Sequence, residues 1–135
     1  MGTLYICPTP IGNLDDISKR IADILKEVDL IYCEDTRRAK KLLNHLGINT
    51  EIESYFIGNE VHKIKDIKTH LENDLDIALI SDAGTPLISD PGNKLVKEII
   101  KEGYKVISIP GPSSVLVALT LSGFDITNFQ FLGFI

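Results

Sequence analysis

Ser81-Asp82-Ala83-Gly84-Thr85-Pro86-Leu87-Ile88-Ser89-Asp90-Pro91-Gly92 puts two Asp, two Gly, two Pro, two Ser and a Thr into a dozen positions. That is more turn chemistry than a strand-to-helix connection needs, since most such links are a few residues long. Three further stretches share the character: Pro8-Thr9-Pro10-Ile11-Gly12, Glu34-Asp35-Thr36-Arg37 and Pro110-Gly111-Pro112-Ser113. Taken singly, each has an ordinary explanation. Pro and Gly stop strands, Asp35, Asp82 and Ser113 suit helix caps, and Arg37 with Arg38 suits a solvated face. Four such stretches at four strand exits make a ligand site the better account. Irregular backbone together with a carboxylate such as Asp82 fits a compact cationic or zwitterionic, adenosine-type ligand better than a polyanion.

Nucleotide signatures are missing. There is no Gly-x-x-x-x-Gly-Lys-Ser/Thr, and prolines stand where a Gly-x-Gly-x-x-Gly would follow the first strand. The two cysteines, Cys7 and Cys33, have no metal-ligand spacing and are too few for a disulfide framework, so no metal is expected. The net charge of -5 leaves no basic footprint on the chain as a whole. With 44% hydrophobic residues among 135, no apolar run long enough for a bilayer and no leader-type start, the expectation is one soluble, cytoplasmic globular domain.

The elements that must position these stretches alternate. Thr3-Leu4-Tyr5-Ile6-Cys7, Leu30-Ile31-Tyr32-Cys33, Ile52-Glu53-Ser54-Tyr55, Ile77-Ala78-Leu79-Ile80 and Lys105-Val106-Ile107-Ser108-Ile109 read as strands. Between them, helical spacing links Ile17, Ile21, Ile24, Leu25 and Val28 behind a cap at Asp15 or Asp16. It also links Ala39, Leu42, Leu43 and Leu46 up to Gly47; Val61, Ile64, Ile67 and Leu71; and Leu95, Val96, Ile99 and Ile100 up to Gly103. Pro112 suits a first helical turn, and Val115 to Leu121 is apolar on every face, which predicts a buried helix. Phe129 to Ile135 is a further β-prone run. Alternation of this kind predicts an α/β fold: a five-stranded, mainly parallel sheet with helices on both faces. Right-handed crossovers then bring the carboxyl ends of the strands, and with them the four stretches, to one edge.

Pro8-Thr9-Pro10-Ile11-Gly12-Asn13-Leu14, Glu34-Asp35-Thr36-Arg37, Leu42-Leu43-x-x-x-Gly47-Ile48, Ser81 through Gly92 and Pro110-Gly111-Pro112-Ser113 together resemble the rRNA-modifying branch of the tetrapyrrole (corrin/porphyrin) methylase family. The resemblance covers nearly the whole chain, with the motifs in order. It implies the N-terminal domain of that fold over residues 1–123, with 124–135 beginning an interdomain segment that leads to a second α/β domain. It implies S-adenosylmethionine as methyl donor, held in the cleft between the two domains, a ribose 2'-hydroxyl of a cytidine in 16S rRNA of the small ribosomal subunit as acceptor, and a homodimer. Donor-binding candidates carried over are Ile11, Gly12, Asp82, Ala83, Gly84, Thr85, Pro110, Gly111, Ser113 and Ser114. Ile57-Gly58 departs from the family, which has His and Glu ahead of Asn59-Glu60.

Methyl transfer from a sulfonium is an in-line displacement, so register among nucleophile, methyl and sulfur supplies most of the rate. A hydroxyl nucleophile gains from a base, for which Glu34 and Asp35 are the local candidates; Asp35 is equally suited to cap the helix after it. Arg37, Arg38, Lys40 and Lys41 are candidates for RNA phosphates, against the ordinary reading of a solvated face. Two other readings are weaker. A receiver-like signalling domain wants an acidic pair at the first strand exit and a lysine at the fifth, where this chain has prolines. A small-molecule tetrapyrrole methylase shares the fold, which does not fix the substrate, but Pro-Thr-Pro-Ile-Gly-Asn and Ser-Asp-Ala-Gly-Thr-Pro resemble the rRNA branch.

Overall fold

Leu30-Ile31-Tyr32-Cys33 and Ile77-Ala78-Leu79-Ile80 have no polar face, and in the computed structural model, which describes residues 1–135, every one of these residues is buried. They are β2 (Leu30–Cys33) and β4 (Ile77–Ile80), flanked by β1 (Thr3–Cys7) and two edge strands, β3 (Glu51–Ser54) and β5 (Lys105–Ser108). The order across the sheet is β3-β2-β4-β1-β5, and all four pairings are parallel. Central strands of a parallel sheet are covered on both faces and so read as continuous apolar runs. The edges carry Glu51, Glu53, Lys105 and Ser108, polar residues that discourage pairing with another chain.

Period-two alternation divides the core. Cys7, Ile31, Cys33, Ala78 and Ile80 point to the face covered by Ile21 and Leu25 of α1 (Lys19–Glu27) and Ala39 and Leu43 of α2 (Thr36–Leu46). Leu4, Ile6, Leu30, Tyr32, Ile77 and Leu79 point to the other, covered by Ile67 and Leu71 of α3 (Glu60–Glu72) and Leu95 and Ile99 of α4 (Asn93–Lys101). Burial of each such aliphatic side chain contributes roughly 1.5–3 kcal/mol. β1 and β4 are therefore neighbours whose outgoing chains leave to opposite faces, the arrangement that opens a crevice at the strand ends of α/β sheets. Burial pushes the Cys7 and Cys33 thiols up to about 12, which fits inert, reduced core residues.

Several expectations are corrected. Asp15 and Asp16 do not cap α1; they lie in a 3-10 turn (Leu14–Asp16) capped by Asn13, and the Ser18 hydroxyl caps α1 by accepting from the Ile21 N–H at 3.1 Å. β3 begins and ends one residue earlier than its apolar pattern suggests. Val61 and Ile100 are 78% and 59% exposed, on the outer faces of α3 and α4. Pro112 precedes the cap of α5 (Ser114–Leu121), which is Ser113. The largest difference is α5 itself: the helix forms, but none of its residues is buried, because no other element packs extensively against it. Phe129 to Ile135 forms no strand and is exposed.

Candidate functional site

The exits of β1, β4 and β5 are knotted by hydrogen bonds. Thr9 and Gly84 exchange both backbone bonds, 3.0 Å from the Thr9 N–H to the Gly84 carbonyl and 2.9 Å in return, as an isolated antiparallel bridge. The buried Thr9 hydroxyl donates to the Ser81 carbonyl at 3.1 Å, and the buried Ser81 hydroxyl donates to the Gly84 carbonyl at 2.8 Å. Thr85 donates through its hydroxyl to the Pro112 carbonyl at 2.7 Å, tying β4's exit to β5's. Gly84 sits at φ 80°, where a side chain is strained, and a Cβ there would stand 3.2 Å from Ile11 Cδ1. Gly111 is required for a different reason: a Cβ would lie 2.6 Å from Pro8 Cβ. β2's exit joins the same rim, for Asp82 Oδ1 accepts from the Asp35 N–H at 3.1 Å. Asp82 is thus not a helix cap but the clasp between two loops.

Three hollows surround this knot. The first, of about 490 Å³, lies between the β1 exit and α2 and is lined by Thr9, Gly12, Asn13, Arg38, Lys41 and Asp82 among others. A second, about 530 Å³, has Ile11, Pro112, Ser114 and Val117 on its wall. The third, about 170 Å³, is bounded by Ala83, Thr85, Asp90, Ser113, Ser114 and Phe131. Ala83 belongs to the first and third, Ser114 to the second and third. Ile11, Gly12, Asp82, Ala83, Gly84, Thr85, Pro110, Gly111, Ser113 and Ser114 are all brought to this rim. The Thr85 hydroxyl donates to the Pro112 carbonyl and the Ser113 hydroxyl accepts from the Leu116 N–H at 3.5 Å, keeping its own proton to donate, whereas the Ser114 side chain is exposed.

The basic stretch is divided. Arg38 and Lys41 face the first hollow, while Lys40 lies against a separate depression with Asn44, Ile48 and Thr50. Arg37 folds back on Asp35 with Nε 3.2 Å from Oδ1 and Nη2 3.0 Å from Oδ2. Asp35 also caps α2 by accepting from the Arg37 N–H at 2.9 Å, and these bonds hold its carboxyl below the usual carboxylate range. Glu34 behaves oppositely. Partial burial first, then the charges of Asp82, Asp90 and Asp35, push its carboxyl above the ordinary value, and no hydrogen bond opposes them. Burial and Asp82 raise Asp90 likewise. No group of three or more His, Cys, Asp or Glu is arranged to hold a metal ion, and no helix is long and apolar enough to cross a membrane.

Sequence reasoning missed Asn13, whose side chain turns the β1 exit, and Asp90, whose charge couples to Glu34 across the rim. The signal for Asp90 was its place within the Ser81–Gly92 stretch; Asn13 stands beside Gly12 in a turn that reads as punctuation.

Residues 3–135 match the family model described as Tetrapyrrole (Corrin/Porphyrin) Methylases. Proteins named Ribosomal RNA small subunit methyltransferase I are similar throughout: that of Halalkalibacterium halodurans is 50% identical over 134 residues, covering 99% of this chain and 46% of the relative. The one from Thermotoga maritima is 47% identical over 135 residues, 100% of this chain and 61% of the relative. The chain spans about half the length of the curated relatives it matches. Among solved structures, a diphthine synthase has TM-score 0.77 at 17% identity, covering 96% of this chain and 52% of that one. Uroporphyrin-III C-methyltransferase from Thermus thermophilus has TM-score 0.67 at 18%, covering 95% and 55%. At those identities the likeness establishes the fold alone, whereas the match across residues 3–135 establishes more: the chain belongs to the tetrapyrrole (corrin/porphyrin) methylase family.

Proposed function

We propose that this chain is the N-terminal half of an S-adenosylmethionine-dependent methyltransferase whose acceptor is the ribose 2'-hydroxyl of a cytidine in 16S rRNA. The observation that carries this reading is the knotted rim, where the exits of β1, β4 and β5 meet around the Thr9–Gly84 bridge. The rim fits a cationic donor. Gly84 and Gly111 let the β4 and β5 exits pack close against Ile11 and Pro8, which shapes the rim, and Glu34, Asp82 and Asp90 supply negative charge along it. When bound, the donor supplies an electrophilic methyl on a sulfonium. The chain's own part is to hold it through Ile11, Asp82 and backbone groups around Ala83 to Thr85 and Gly111 to Ser114, and to keep the two substrates in register.

Of the two carboxylates considered as base, Glu34 is better suited than Asp35. Asp35's oxygens are occupied by Arg37 and by its capping bond, whereas Glu34 has no hydrogen-bonded partner and a raised proton affinity, which brings a carboxylate nearer the working range of a general base. Residues 1–123 form the first domain in this reading and 124–135 lead toward a second α/β domain. The exposed apolar surface of α5 and of Phe124, Phe129, Phe131 and Phe134 suits cover by that domain and by a homodimer partner. An rRNA acceptor makes the protein cytoplasmic.

The test has two arms. Calorimetric titration of S-adenosylmethionine is expected to give weak or no binding to the 135-residue chain and micromolar-type affinity with the intact protein; tight binding by the short chain alone would sink the half-site. Mass spectrometry of 16S RNA from cells lacking the gene is expected to show loss of a 2'-O-methyl cytidine. An unmodified tetrapyrrole pool alongside intact rRNA methylation would instead favour the small-molecule reading.

A further inference from the structure

The hollow of about 490 Å³ carries chemistry that a sulfonium donor does not use. Arg38 and Lys41 are three residues apart on α2, hence on one face, and both reach this hollow. Neither takes part in an ion pair within the chain, unlike Arg37, which is committed to Asp35. Across from them stands Asn13. Its side-chain oxygen accepts from the Asp15 N–H at 3.0 Å, which leaves the amide NH2 as a donor without a partner in the chain. In a chain of net charge -5, two cations without ion-pair partners and an amide donor around one hollow, against the single carboxylate of Asp82, are a local exception to an average that repels polyanions. The hollow lies within the roughly 300–1,000 Å³ range of small-ligand sites and is bounded by α2 on one side and by the β1 and β4 exits on the other, a size that suits a splayed-out nucleotide better than a duplex. Its floor is Ser81-Asp82-Ala83, and Ala83 also lines the third hollow beside Thr85 and Ser114, so the two compartments share a wall.

We infer that this hollow is the acceptor-strand site: it takes the sugar-phosphate backbone of single-stranded RNA, with Arg38 and Lys41 each on a phosphate and the Asn13 amide on the nucleotide between them. The inference rests on the proposed donor site at the rim, and it assigns to α2 a narrower role than its basic sequence suggests. Lys40 and Arg37 lie outside the site.

The test uses the intact protein and an unstructured RNA oligonucleotide containing cytidine, with binding followed by fluorescence anisotropy as a function of salt. Each phosphate contact on a single strand contributes a slope of about -0.7 to log K against log salt. Arg38→Gln and Lys41→Gln are each expected to reduce the slope's magnitude by about 0.7, and the double variant by about 1.4. Arg38→Lys, which keeps the charge, should keep the slope, and so should Lys40→Gln and Lys26→Gln. These are exposed side chains, so the variants leave the core intact. Slopes equal for the Arg38, Lys41, Lys40 and Lys26 variants would overturn the inference, as would loss of S-adenosylmethionine affinity with RNA binding unchanged. Slope losses confined to Arg38 and Lys41 in a protein that binds no S-adenosylmethionine would uphold the RNA site while removing the donor reading.

Discussion

Gly111→Ala is the most direct probe of how the rim is built. A Cβ at Gly111 would stand 2.6 Å from Pro8 Cβ and 2.9 Å from Pro8 Cγ, with Ile21 Cδ1 at 3.3 Å. Ordinary van der Waals contact begins near 3.4 Å, so the β5 exit has to move off the β1 exit by the better part of an ångström. Pro8 cannot swing aside, being a buried ring, and Ile21 is fully buried on the inner face of α1. Overpacking of this kind costs typically about 1–3 kcal/mol. Taking about 2 kcal/mol, the thermal midpoint of the chain should fall by roughly 8 °C, and urea unfolding should show a lower midpoint at unchanged m. A double-mutant cycle isolates the cause. In a Pro8→Gly background, which removes both close atoms, the cost of Gly111→Ala should shrink to a few tenths of a kcal/mol. Equal cost in both backgrounds, or no cost in either, would refute the close approach of the two exits, and with it the shape of the donor wall.

Three further outcomes follow from the same geometry. Thr85→Val removes the 2.7 Å bond to the Pro112 carbonyl and should cost about 1 kcal/mol in urea unfolding, while Thr85→Ser should retain most of it. Glu34 and Asp90 both bind their protons more tightly in the folded chain, first through burial and then through Asp82, so their contribution to stability is present at acid pH and lost as pH rises through their elevated values. Glu34→Gln or Asp90→Asn should therefore stabilise the chain at neutral pH by about 0.5 kcal/mol, with no gain once the carboxyls are protonated, as read from urea midpoints across pH. Leu116, Val117 and Leu121 are 55%, 54% and 81% exposed on α5, so the 135-residue chain should self-associate in light scattering, and Leu121→Lys with Val117→Lys should return it toward monomer; a monodisperse parent chain would contradict this.

The central sheet was legible because β1, β2 and β4 are apolar runs that only a doubly covered strand requires, and α2 because Asp35 and Gly47 bracket its stripe. Boundaries failed where several side chains within a few residues can each accept from backbone. Asn13 and Ser18 both do so, leaving Asp15 and Asp16 in a short turn between them. The burial of α5 failed for a different reason. An apolar helix has the same periodicity whether or not other elements of the chain lie over it, so Val115 to Leu121 predicts a helix and says nothing of its cover. Leu87 was out of reach altogether. It adopts φ 75°, a region that disfavours leucine by about 1–2 kcal/mol, and only the packing of its side chain on the α3–α4 face of the core accounts for it. Gathering of the four strand exits was foreseeable from handedness, but not the order that puts β4 between β1 and β2 and so makes Thr9 and Gly84 partners.

That order also sorts charge. The β2 exit delivers Glu34 and Asp35, and the helix after it delivers Arg38 and Lys41 one turn further on, so acid and base leave the sheet on a single connection. Arg37 pairs with Asp35, whereas Asp82 accepts from the Asp35 N–H and has no cation of its own beside Glu34 and Asp90. The result is a rim that is negative where β4 meets β2 and positive along α2, the two signs meeting in the first hollow, which Asp82 shares with Arg38 and Lys41. A reaction joining a cationic donor to a polyanionic acceptor is served by fields of opposite sign close to each other, since one uniform potential would disfavour one of the two substrates. Asp82 is the residue on which this separation turns. Its replacement by Asn keeps the capacity to accept from Asp35 and so preserves the loop, but removes a charge that stands beside Glu34 and Asp90 and on the lining of the first hollow, so Asp82→Asn should weaken S-adenosylmethionine binding while RNA binding is kept or strengthened. Parallel loss of both would mean that Asp82 acts only by holding the loops together.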